Sequence, residues 1–310
     1  MLKLLYRFDR ILVFLAPLIG LLFALVFLFT VEEKNIVAVL PLHGQVTVGF
    51  WLNAGLSLIF IFGAFIYLNR LTQTQAILGQ ISNLPVFIAW TLSLWIFNEL
   101  PPFSIWLVML LILFYYGQLL FVFDEYRLDA SVFNAAFIVG LCSLFYFGLS
   151  VFLLPVVVAL MQKSRLSIKR VLKMLFGFLT PAYLMFAVNF LLFDTVSLPV
   201  TFEAVDLIKA NWFRPDILLL IAGAGVAIWF VWVQLSRSTI RERKRWYLIL
   251  ISAICGVICT FLMGQTLGAV LLIPMTWLIV KGLMGVKKWW MGEIILWLIF
   301  TSIFIDTIWY

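Results

Sequence analysis

Charged side chains are scarce in this 310-residue sequence. Asp, Glu, Lys and Arg make up 11% of it, against about 25% in ordinary soluble domains. Apolar residues reach 65%, which is more than one globular core can hide, so lipid must solvate much of the chain. Histidine is nearly absent, His43 being the only one. The three cysteines, Cys142, Cys255 and Cys259, lie inside apolar stretches with no partners at metal-ligand spacing, so no metal site is expected and the thiols read as packed or lipid-facing. No nucleotide-binding glycine loop, GxSxG elbow, HExxH or paired CxxC occurs, which removes the motif-bearing soluble enzyme classes and leaves no call for a cofactor. Internal repeats, low-complexity linkers and composition shifts are missing too, so residues 1–310 read as a single integral membrane domain.

What the chain does contain is a series of apolar runs of the length that crosses a bilayer, roughly 20 residues for about 30 Å of hydrocarbon. They are Ile11–Val31, Val48–Leu68, Leu84–Phe97, Ile105–Phe123, Val132–Met161, Met174–Phe193, Ile217–Leu235, Trp246–Met263, Leu267–Val280 and a last helix to Tyr310. The expected fold is therefore an all-α, polytopic transmembrane bundle of about 9–11 membrane segments. Met1 to Arg10 is a short basic lead, and Ile11–Val31 exceeds the core of a signal peptide, so it is expected to stay as the first helix.

The net charge of +7 reports topology rather than nucleic-acid binding, because the basic residues cluster between apolar runs. The clusters are Lys163 to Lys173, Arg237 to Arg245, and Lys281 with Lys287 and Lys288. The positive-inside rule places them, and the N-terminus, on the cytoplasmic side of a bacterial inner membrane. Trp289 and Trp290 have the position of an interfacial aromatic anchor.

Val132–Met161 does not fit a single crossing. As one helix it would measure about 45 Å, which overshoots the hydrocarbon, yet it is too short for two full spans. Tyr146, Gly148, Ser150 and Pro155 fall near its middle, consistent with two half-length helices in a hairpin that enters and leaves by one face. Counting crossings puts Arg127 and the Lys163–Lys173 cluster on the same side, which such a hairpin allows; one tilted span with inverted earlier topology is the alternative.

Candidate chemistry sits in the outer connections. Glu32 and Glu33 emerge at the end of the first run, where a carboxylate can act as general base, and a solvated helix end is the plainer reading. His43 has a free pKa near 6.5, suited to proton transfer, or is an ordinary loop residue. Lys209 and Arg214, in the long connection Asp194–Asp216, can hold a phosphate by charge-assisted hydrogen bonds, or belong to a mixed-charge loop. Glu293 and Asp306 lie close to helix ends and read as interfacial.

The run Phe133-Asn134-Ala135-Ala136-Phe137-Ile138-Val139-Gly140-Leu141-Cys142-Ser143-Leu144-Phe145-Tyr146-Phe147, with Gly177-Phe178-Leu179-Thr180-Pro181 and the final Lys287-Lys288-Trp289-Trp290, resembles a family of bacterial inner-membrane proteins of about this length whose function is unassigned. The middle of the chain, Gly140-Leu141 through Pro155 and then Lys163–Lys173, is also similar to the GT-C class of polytopic glycosyltransferases, where a short apolar hairpin precedes a basic cytoplasmic loop. That resemblance implies a sugar carried on a polyprenyl phosphate, an acidic base in the first outer loop matching Glu32 and Glu33, and carrier-phosphate contacts matching Lys209 and Arg214. The first outer loop here is shorter than is usual in that class, and no large outer domain follows. Two further roles stay open: a non-catalytic membrane subunit or scaffold with membrane-protein partners, and a transporter, for which paired broken helices with polar midplane groups are not evident.

Overall fold

The computed structural model describes residues 36–40, 44–75, 77–78, 82–97, 102–122, 128–162, 167–193, 225–226, 228–236, 238–263, 268–285, 290, 292–298 and 301. They form a helical bundle with one small strand hairpin at an end. In chain order the elements are strands β1 (Ile36–Leu40) and β2 (Gly44–Val48), then helices α1 (Phe50–Thr74), α2 (Leu84–Phe97), α3 (Phe103–Phe121) and α4 (Leu128–Phe145). A 3-10 turn (Phe147–Phe152), α5 (Leu153–Gln162), α6 (Ile168–Phe193), α7 (Ile240–Met263) and α8 (Gly268–Gly285) follow. Residues 228–235 and 292–298 are also helical. Helices α1, α3, α4 and the stretch Ile168–Leu191 of α6 are long and apolar enough to cross a membrane.

The hairpin is a departure from the expected polar connection between the first two runs. Its strands pair antiparallel, Ile36 opposite Val48 and Leu40 opposite Gly44. Ile36, Val37, Val39, Val46, Thr47 and Val48 are β-branched and favour extended backbone. β1 lies near α3.

α3 is the centre of the bundle. Trp106, Met109, Ile112, Tyr115 and Tyr116 are fully buried along it, and α1, α4 and α8 pack around it. On one side the Tyr116 ring meets Trp277 of α8 edge-on at 5.1 Å. The Trp277 indole N–H donates to the Thr72 hydroxyl of α1 at 2.9 Å, and that hydroxyl donates to the Leu68 carbonyl at 2.8 Å. α1 and α8 are thus tied by a buried hydrogen-bonded chain, and α3 joins them through the ring contact of Tyr116.

The basic segments are more helical than their hydropathy implies. α7 starts at Ile240, six residues before the run that begins at Trp246, because Thr239 and Glu242 form a capping box: the Glu242 amide donates to the Thr239 hydroxyl and the Thr239 amide to the Glu242 carboxylate, both at 3.4 Å. α6 likewise starts at Ile168, with Arg170 and Val171 amides bonded to the Ser167 carbonyl. Lys and Arg are good helix formers, so helix ends follow caps while the apolar runs mark only the hydrocarbon-length part.

Candidate functional site

Helix directions follow from a few contacts. At one end of the bundle, Arg245 at the start of α7 donates to the Gln75 carbonyl that follows α1, at 3.1 Å. Lys244 donates to the Gln162 carbonyl at the end of α5, at 2.9 Å, and Lys281 of α8 to the Leu78 carbonyl at 3.4 Å. Asp129, in the first turn of α4, accepts from Arg170 Nε at 2.9 Å and from Lys173 Nζ at 2.6 Å, both in α6. The described members of all three basic clusters therefore gather at one end, where cations also satisfy carbonyls at helix termini.

The opposite end carries the hairpin, the start of α1 and the start of α3. There the Phe103 amide donates to Asn53 Oδ1 at 2.7 Å, and the hydroxyls of Ser104 and Tyr146 are 3.1 Å apart. α4 consequently runs from the basic end to the hairpin end. Partway along, Gly177 of α6 faces the Phe133 carbonyl and Ala136, and Gly140 faces the Phe178 carbonyl and Pro181. Contacts that advance together along both helices, from Asp129 with Arg170 through Gly140 with Phe178, make α4 and α6 parallel.

Parallel neighbours need a return between them, and the chain supplies it in the segment expected to be a hairpin. α4 stops at Phe145, Tyr146 takes extended backbone (φ −141°, ψ 105°), and the 3-10 turn with α5 leads back to Gln162 at the basic end. One tilted helix over Val132–Met161 is excluded. Neither arm is half-length, however: α4 starts at Leu128 and has 18 residues, about 27 Å, and the 3-10 turn of 6 residues with the 10 residues of α5 covers about the same distance on the way back. Neighbouring helices bind the broken backbone, Tyr115 of α3 donating its hydroxyl to the Phe152 carbonyl at 2.8 Å and the Cys259 thiol of α7 meeting the Gly148 carbonyl at 3.2 Å. Irregular backbone is tolerated among apolar helices where protein buries it in this way.

Glu32, Glu33, His43, Lys209 and Arg214 all lie outside the described residues. The elements that flank them in sequence are described. β1 begins at Ile36 and β1–β2 adjoins the start of α1; α6, parallel to α4, ends at Phe193 on the same side. The connections bearing the candidate carboxylates and the candidate phosphate-binding cations thus join the bundle at one end, the end opposite the basic clusters. Among the described residues no three His, Cys, Asp or Glu come together as a metal site, and Cys142, Cys255 and Cys259 are buried free thiols.

No protein-family model, curated protein or solved structure matches this chain. Its two apolar landmarks nevertheless have a shared physical role, since the run Phe133–Phe147 and the run Gly177–Pro181 are the two sides of the α4–α6 crossing. Asp129 escaped the sequence reading. It sat in a polar break, and only the position of α6 identifies its partners.

Proposed function

We propose that this chain is a multi-pass protein of a bacterial inner membrane, with the basic end of its bundle in the cytoplasm. In the same reading it binds, or transfers sugar from, a polyprenyl-phosphate-linked sugar at the outer, hairpin-bearing end, as a relative of the GT-C class. The single observation that supports this most is the convergence described above: the segments flanking Glu32, Glu33 and His43 and the segment preceding Lys209 and Arg214 meet the bundle at the same end. A carboxylate and a phosphate-holding pair on one side of a bilayer are the minimum that such chemistry requires.

In this reading Lys209 and Arg214 neutralise the carrier phosphate. Glu32 or Glu33 takes the proton of an acceptor hydroxyl as its oxygen bonds to the anomeric carbon, and the bond from that carbon to the carrier phosphate breaks. His43 stands near in sequence as an alternative base. Mass spectrometry of lipids retained by the purified chain tests binding: a polyprenyl phosphate or its glycosylated form is expected with the wild type and is expected to be lost in the Lys209→Ala, Arg214→Ala variant. The Glu32→Gln, Glu33→Gln variant is expected to keep the lipid and lose transfer. Bulk phospholipid alone in every sample, with a stoichiometric protein partner, would instead identify a non-catalytic subunit of an envelope complex.

A further inference from the structure

α6 has two unlike faces. Met174, Gly177, Pro181 and Asn189 are buried, Gly177 and Pro181 against α4, whereas Leu172, Phe176, Leu179, Tyr183, Phe186 and Phe190 are exposed. These six recur at alternating steps of four and three and so form one continuous stripe along the helix, within a wider exposed face that also carries Leu175, Leu184, Val188 and Leu191. Lys169 extends the stripe by one more step of three, at the basic end, and is itself exposed. Among the described residues it has no hydrogen bond or ion pair, unlike Arg170 and Lys173 beside it, which are held by Asp129.

The half of this stripe next to Lys169, Leu172 to Tyr183, is about 16 Å of apolar helix, the depth of one leaflet of a hydrocarbon core about 30 Å thick, and it ends at an exposed cation flanked by two more. Lys163 and Arg165 precede it in sequence, so the segment from Lys163 to Lys173 carries five positive charges, while the segment Asp124 to Asp129 that leads into α4 carries three negative charges and one positive. We infer that the basic end of the α4–α6 pair is a binding site for an anionic phospholipid. The headgroup phosphate is held by Lys169 and by the outward part of the Arg170–Lys173 cluster, and one acyl chain lies along Leu172, Phe176 and Leu179. Arg170 and Lys173 serve twice, as the clamp on Asp129 and as part of the positive field that selects a charged headgroup. This site is at the opposite end from the one proposed for the polyprenyl carrier and shares only the assumption that the bundle sits in a bilayer.

The test is native mass spectrometry of the full-length chain in mild detergent, titrated in parallel with phosphatidylglycerol and phosphatidylcholine of identical acyl chains. A basic residue near an anionic surface contributes about fivefold in affinity. Wild-type protein is expected to prefer phosphatidylglycerol by at least about fivefold. Lys169→Glu is expected to abolish the preference, and Asp129→Asn to increase it by freeing two cations. Lys209→Ala, Arg214→Ala is expected to leave it unchanged, which separates this site from the carrier site. Equal binding of the two lipids by the wild type, or a preference that survives Lys169→Glu, would overturn the proposal. Because Lys169 is exposed and outside the helix crossing, that variant is expected to melt with the wild type, so a lost preference is not a folding defect.

Discussion

At the scale of single residues, the α4–α6 crossing depends on what two glycines lack. A Cβ on Gly140 would collide with the Phe178 carbonyl and press on Pro181 at 3.0 Å, and a Cβ on Gly177 would stand 2.6 Å from the Phe133 carbonyl. Backbone atoms cannot step aside as a side-chain tip can, so the helices would have to separate. Gly140→Ala is expected to destabilise the protein by about 1–3 kcal/mol, the usual range for overpacking, seen as a lower melting temperature in detergent. Gly55 of α1 has nothing within 4 Å of the same position. Gly55→Ala is expected not to lower melting at all, since in a helix interior alanine is favoured over glycine by roughly 0.5–1 kcal/mol. Small residues let helices approach closely in membranes, where packing replaces the hydrophobic effect as the main source of association.

At the scale of elements, the break between α4 and α5 was legible in advance and the way it is held was not. An apolar run too long for one span and too short for two, with Tyr146, Gly148, Ser150 and Pro155 at its middle, already implies a turn. The donors that bind its carbonyls come from Tyr115 and Cys259, remote in sequence and unremarkable there. Tyr115→Phe removes one such bond at a cost of about 0.6–1.7 kcal/mol. It is expected to speed hydrogen exchange at the amides of residues 147–153 while exchange in α3 stays as it was. The hairpin β1–β2 was missed for a different reason. Its β-branched residues are a strand signal, but polar groups from Glu32 to Asn35 and from His43 to Gln45 bracket them, and the whole reads as loop. The start of α7 was carried by a visible Thr239 and Glu242 pair, a signal outweighed by the hydropathy boundary at Trp246. The candidate site residues were chosen by charge and by predicted side, and the structure describes only the elements that flank them.

At the scale of the whole molecule, the bundle has two chemically different ends, and cysteine labelling can read their sidedness. The native thiols are buried, so a membrane-impermeant maleimide is expected to leave the wild type largely unmodified. Gly49→Cys, at the exposed start of α1, and Ser167→Cys, at the exposed start of α6, are expected to label from opposite faces of sealed vesicles. Ala130→Cys, exposed beside Asp129, is expected to label from the same face as Ser167→Cys. Labelling of the last two from different faces would contradict the return of the chain through α5. That return also sets an order of assembly. α4 emerges during synthesis with its Ala136 and Gly140 groove bare, and the helix that fills the groove begins only at Ile168 and reaches the crossing at Gly177. Through that interval the nascent chain carries a small-residue seam, and α6 is the helix that closes it.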